Sequence, residues 1–186
     1  MSKANIAILI RIALSAFAVF GFPHLLKAVH VRLQEKWRKK INIVSLLGFL
    51  ICVWMYAFIF RSEINGTGVI IDPLWAFRQI FRRMASGYKE GGIIEAVRRI
   101  SWVRDTVASL LLNILFLVPF GYLVPCTFRH VQSWWKVLIL AILFSLGIET
   151  IQFFTQRGWF DIGDLIYNSG GALIGYALYR KLLHEI

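Results

Sequence analysis

The chain has 186 residues, 58% of them hydrophobic, and a formal net charge of +11. An ordinary soluble domain is about 45–50% apolar, so this composition, with a mean hydropathy of +0.65, excludes a soluble globular class and indicates a single membrane domain over 1–186. The apolar runs are continuous and lack the period-2 alternation of a membrane barrel, and no nucleic-acid reading motif accompanies the charge. The expected fold is therefore an all-α polytopic membrane helix bundle, with lipid headgroups rather than nucleic acid meeting its cations.

A span needs about 20 mostly apolar residues. Five segments qualify: 5–26, 41–60, 106–126, 134–154 and 162–183. The first follows Lys3 and contains the small-x-small triplet Ala16-Phe17-Ala18, features of a cleavable signal. Arg11 interrupts its apolar run, however, and the run continues to Pro23, so a retained helix is expected. Cys52 and Cys126 lie within or at the end of spans, where neither a disulfide nor a metal-ligand pattern is expected.

The loop 27–40, KAVHVRLQEKWRKK, has six Lys/Arg against one acid and is short enough for the positive-inside rule. A cytoplasmic loop here puts the amino terminus outside, 61–105 outside, 127–133 inside, 155–161 outside and the carboxyl terminus inside. The full count does not separate the sides, since ten Lys/Arg then fall inside and eleven outside or near it.

In the connection 61–105, Asp72 is placed to cap a helix beginning at Pro73. Leu74, Phe77, Ile80, Phe81 and Met84 recur at helical spacing, while Arg78, Arg82 and Arg83 project largely away from that stripe. Gly87, Gly91 and Gly92 break the pattern, and IIEAVRRISWV resumes it with Ile93, Val97 and Ile100. Two amphipathic helices fit, interfacial or re-entrant, between the second and third of about five transmembrane helices.

Polar residues then recur inside the last three spans. NILFLVPFG places Asn113 a turn from Phe116, and Pro119 removes a backbone donor and opens a kink ending near Gly121. Ser145, Glu149 and Gln152 stand at i, i+4 and i+7, and Asp164, Asn168, Gly171 and Gly175 are spaced by 4, 3 and 4, so each set shares one helix face. An acid at the centre of a bilayer costs about 2.5–3.5 kcal/mol, so these faces should turn toward one another, toward Arg157 in the turn, or toward water. The candidate polar pocket is Asn113, Glu149, Gln152, Arg157, Asp161, Asp164 and Asn168, with Pro119, Gly121, Gly171 and Gly175 as helix-packing positions.

Structural explanations compete for the same residues. Glycines permit close helix packing, and Asn113, Gln152 and Asn168 can act as interhelical hydrogen-bonding groups. Arg157 can pair with Asp161 at a helix start. Ser145 is expected to bond back to its own backbone. Repulsion among Glu149, Asp161 and Asp164 raises at least one carboxyl pKa while Arg157 acts oppositely, leaving the net sign open. His24, His30, His130 and His184 lie at span ends or in loops and read as solvated interfacial groups.

NILFLVPFG at 113–121, SLGIETIQFF at 145–154 and RGWFDIGDLIYNSGGALIG at 157–175 together resemble the VanZ-like membrane proteins, with the similarity running over a core of 106–178. The upstream IDPLWAF is similar to the Pro-aromatic segment that precedes the third span in that family. The resemblance implies a multi-pass protein of the bacterial cytoplasmic membrane associated with resistance to teicoplanin-type lipoglycopeptide antibiotics, without a settled chemistry. It points to Asn113, Pro119, Gly121, Glu149, Gln152, Arg157, Asp161, Asp164, Asn168 and Gly171, while Gly163 between the aspartates leaves the depth of Asp161 open.

Three functions follow. The first is an accessory resistance protein that changes how a lipidated antibiotic engages the cell surface. The second is a membrane enzyme acting on a lipid or a lipid-linked wall precursor, with Glu149, Asp161 and Asp164 as acid or base groups and arginines holding a phosphate. No nucleophile constellation is visible, so its catalytic residues are unknown. The third is a small transporter or scaffold, although five spans without an internal repeat argue against the usual transporter architecture. The expected partners are membrane lipids, including an anionic lipid or lipid-linked wall precursor, and a lipoglycopeptide. Oxygen ligands suit magnesium or calcium, but the acid spacing matches no metal loop, so no metal or cofactor is expected.

Overall fold

The computed structural model describes residues 34–57, 66, 68–98 and 100–183. The expected first span, 5–26, and the end of the second lie outside them. Helix α1, Glu35–Met55, begins six residues before the apolar run, because the basic stretch continues the helix and Glu35 complements the dipole in its first turn.

Strand β1, Val69–Ile70, precedes helix α2, Trp75–Arg98. Asp72 starts that helix: its Oδ1 accepts from the Leu74 backbone N–H at 3.1 Å, and its carbonyl accepts from Trp75 N–H at 3.0 Å. Gly91 and Gly92 interrupt α2, and the φ of +65° at Gly92 is one that favours glycine. Gly87 differs from the sequence expectation, since it lies buried inside the helix rather than breaking it.

Helix α3, Ile100–Phe116, and helix α4, Val118–Thr127, are separated at Leu117, with Pro119 in the first turn of α4. The kink therefore sits ahead of Pro119 and has closed by Gly121, whose N–H donates to Leu117 O at 3.1 Å. A proline ring displaces the carbonyl four residues before it, which places the disruption on the upstream side. Helix α5, Trp134–Phe154, strand β2, Phe160–Asp161, and helix α6, Ile162–Leu183, complete the chain's described elements.

The architecture is mainly helical, as expected, but the continuous apolar runs did not announce its strands. β1 and β2 form a parallel pair, Val69 opposite Phe160 and Ile70 opposite Asp161. Phe160 N–H donates to Gly68 O at 2.9 Å, and Gly68 leaves room for the Trp159 ring, which a Cβ there would meet at 3.2 Å. Two residues per strand carry too little pattern for a period to register.

Helix α6 packs against α3, α4 and α5, and α1 packs against α4. Leu117, Tyr122, Leu123, Val137, Ala141 and Ala172 form its dry centre, and Phe120 stacks on Phe144 with ring centroids 5.1 Å apart. Among the described residues, two helical stretches are long and apolar enough to cross a membrane, Thr106–Thr127 and Trp134–Phe154. Helix α6 is equally long but carries Asp164, Asn168 and Ser169.

The bundle has two chemically different ends. At one, the start of α1, the end of α4, the start of α5 and the end of α6 meet: Asn42 Nδ2 donates to Cys126 O at 3.1 Å and Tyr176 OH to Gln132 O at 2.9 Å. Lys36, Arg38, Lys39, Lys40, Arg129, Lys136, Arg180 and Lys181 gather there. The opposite end holds the strand pair, the start of α2 and the acids of the α5–α6 turn.

Candidate functional site

The polar face of α5 is fully withdrawn from the surface, with Ser145 0%, Glu149 3% and Gln152 2% exposed. Asn113 and Asn168 are also buried. Helical spacing on α5 and α6 aligns these side chains, and packing against the kinked α3–α4 unit brings three elements together.

The hydrogen bonds run across elements. Asn113 Nδ2 on α3 donates to Asp164 Oδ1 on α6. Glu149 Oε2 on α5 accepts from the backbone N–H of Asp161 at 3.1 Å, so a buried carboxylate secures the end of β2. Asp161 Oδ1 accepts from Gly163 N–H at 2.7 Å, capping the first turn of α6. Asn168 Nδ2 donates to Ser145 Oγ at 2.9 Å, joining α6 to α5.

The α5–α6 turn closes over this cluster. Gln156 adopts a φ of +55°, a left-handed conformation for a non-glycine residue. Arg157 N–H donates to Gln152 O at 2.9 Å. Asp161 lies outside the spanning helices, and burial holds its carboxyl above the ordinary range, opposed by the backbone N–H groups of Gly163 and Asp164.

Two features differ from sequence expectation. The Ser145 hydroxyl is engaged across helices rather than only within its own: Oγ accepts from the Asn168 amide, because α6 comes close enough to offer a donor. Tyr167 was not singled out, yet its hydroxyl donates to Pro73 O at 3.0 Å and ties the start of the amphipathic connection to α6. A tyrosine one turn beyond Asp164 was the available signal. Among the cations, Arg78 pairs with the capping Asp72 at 2.9 Å, and Arg82 and Arg83 are exposed on α2.

Gly171 and Gly175 continue the Asp164–Asn168 face of α6, and Gly121 on α4 meets that helix at Ala172. A Cβ on Gly171 would collide with Ile114 O, one on Gly175 with Val118 O, and one on Gly121 with Ala172 O. These approaches bring α6 against α3 and α4, and hence Asp164 to Asn113. Among the described residues, no group of three or more His, Cys, Asp or Glu side chains is placed to hold a metal ion.

Chemically, the cluster offers carboxylate acceptors and amide groups in a low-dielectric setting, near the end of an apolar bundle. Such groups can bind polar parts of an amphiphile or exchange a proton.

A family model described as VanZ/LLP1 matches residues 47–184. Protein VanZ of Enterococcus faecium is 36% identical over 67 residues, which cover 36% of this chain and 41% of that protein. The chain thus spans less than half the length of that relative. No solved structure matches.

Proposed function

The chain belongs to the VanZ/LLP1 family, and from that premise we propose that it is a multi-pass protein of the bacterial cytoplasmic membrane that modulates resistance to teicoplanin-type lipoglycopeptides. Its acting part is the polar cluster around Glu149 and Asp164. The single observation that carries this reading is the burial of Glu149 on a largely apolar helix, where it holds a backbone group of the turn. Ionisable residues inside apolar membrane helices are functional candidates by default.

Membrane placement is supported by the aromatic residues. Trp37, Trp134 and Trp135 are exposed at the basic end, and Trp75 and Trp159 at the opposite end; tryptophans favour both membrane–water interfaces. Helix α5 has 21 residues, about 32 Å at 1.5 Å per residue, which suits a hydrocarbon core of about 30 Å. With the basic end in the cytoplasm, the polar cluster faces the outer leaflet. The exposed Leu74 just ahead of α2, with Phe77 and Phe81 on it, then rests in that interface. Helix α6, as long as α5, crosses beside it.

The test is growth inhibition by a lipidated and a non-lipidated glycopeptide, in cells making wild-type protein or Asp164→Asn at matched membrane abundance. Protection against the lipidated drug should fall to the level of cells lacking the protein. Equal protection by both proteins would reduce the cluster to scaffolding, and no protection by either would remove the resistance role itself.

A further inference from the structure

A cleft of about 720 Å³ opens at the basic end, between the start of α1 and the residues that follow α4. Arg38, Lys39 and Asn42 line one wall, and Thr127, Arg129 and His130 the other. The Asn42–Cys126 hydrogen bond holds the walls together at the base. Glu35, the cleft's carboxylate, is engaged by Arg129 at the rim.

Within this lining, Arg38 Nε and Thr127 Oγ1 are buried without a hydrogen-bond partner among the described residues. Thr127 is only 8% exposed. Buried donors are nearly always satisfied, and a guanidinium and a hydroxyl lining one cleft match the oxygens of a phosphate, which Arg engages through two parallel N–H groups. Lys39 adds a positive charge to the same lining.

The surroundings suit an amphiphile's phosphate. Trp37, Trp134 and Trp135 mark the headgroup level at this end. Ile43 lines the cleft, and the exposed Val44, Leu47 and Ile51 continue along α1 away from it. A headgroup in the cleft would leave acyl chains on that apolar face.

We propose that this cleft is a phosphate-binding site, separate from the Glu149–Asp164 cluster, in which Arg38 and Thr127 hold the phosphate oxygens of a phospholipid headgroup or of a free phosphate ester. The site does not depend on the resistance reading.

Full-length protein in maltoside micelles tests it, by native mass spectrometry with added phosphatidylglycerol and by thermal unfolding with added inorganic phosphate. Lipid binding should weaken about tenfold in Arg38→Gln and in the near-isosteric Thr127→Val. It should be unchanged in Lys181→Gln, which removes a charge from the same end outside the cleft. If Arg38→Gln does not fold, Arg38→Lys keeps the charge but loses the fork, and should still weaken binding. A lipid adduct that inorganic phosphate does not displace identifies the headgroup as the source. Stabilisation by inorganic phosphate without a lipid adduct identifies a free phosphate ester. Unchanged binding of both probes in Arg38→Lys and Thr127→Val would overturn the site.

Discussion

Gly171 of α6 lies so close to Ile114 of α3 that a Cβ on it would fall within 3.0 Å of the Ile114 carbonyl, a separation real Cβ atoms do not adopt. Its neighbour Gly170 has open space in the same position. Gly171→Ala should therefore destabilise the bundle by about 1–3 kcal/mol, as overpacking does. Gly170→Ala should be neutral or stabilising by up to about 1 kcal/mol through helix propensity. Thermal unfolding in detergent separates the two; equal effects would mean that α3 and α6 do not meet at Gly171.

The same approach delivers Asp164 to Asn113. Asp164→Asn keeps an oxygen acceptor for the Asn113 amide and removes the charge, whereas Asp164→Ala removes both. Stability should fall more in the alanine variant. A double-mutant cycle of Asn113→Ala with Asp164→Ala should return a coupling of about 0.5–3 kcal/mol. Strict additivity would mean that the two side chains do not interact in the membrane-embedded protein.

Ser145 and Asn168 make a second crossing bond within the bundle. Ser145→Ala leaves a buried amide without that acceptor, a loss of about 1–3 kcal/mol. Adding Asn168→Leu to Ser145→Ala removes the stranded amide, so the double variant should recover part of the loss. Unfolding midpoints of the single and double variants check the order.

Asp72 allows two local effects to be ranked. Its Oδ1 caps α2 and its other oxygen pairs with Arg78, but both partners of that ion pair are substantially exposed. Exposed pairs contribute about 0–1 kcal/mol, and loss of a cap costs about 1 kcal/mol. Asp72→Asn, which retains the cap, should therefore be milder than Asp72→Ala. Protease sensitivity of the connection at matched abundance reads the difference.

Much of this site was legible because helical spacing is a strong signal in apolar sequence. Ser145, Glu149 and Gln152 had to share a face once α5 was a helix, and the expense of exposing them to lipid turned that face inward. The stop at Gly91-Gly92 and the cap at Asp72 were likewise local, carried by glycine's φ freedom and a carboxylate's reach to nearby N–H groups. What sequence could not supply was the identity of partners across elements. Ser145 looked self-satisfied because its donor, Asn168, lies 23 residues away on another helix. The strand pair depends on residues about ninety positions apart, and Asn42 met Cys126 through packing that no local pattern encodes.

Asp161 yields a pH dependence with a definite sign. Burial raises its carboxyl pKa above the ordinary 3.8, against the pull of the Gly163 and Asp164 N–H groups. Below the ordinary value both the folded and unfolded forms are protonated, and the burial penalty is absent. As pH rises through that value toward the raised one, the unfolded chain ionises first, so this residue's contribution to stability is lost across that window. Asp161→Asn keeps an oxygen to accept from Gly163 N–H and removes the titration. Its stability relative to wild type should increase as pH rises from about 4 to 7. Tryptophan-fluorescence melts of both proteins in the same micelle, taken across that range, give the comparison. Parallel curves would mean that water reaches Asp161 freely and that the α5–α6 turn is open around it.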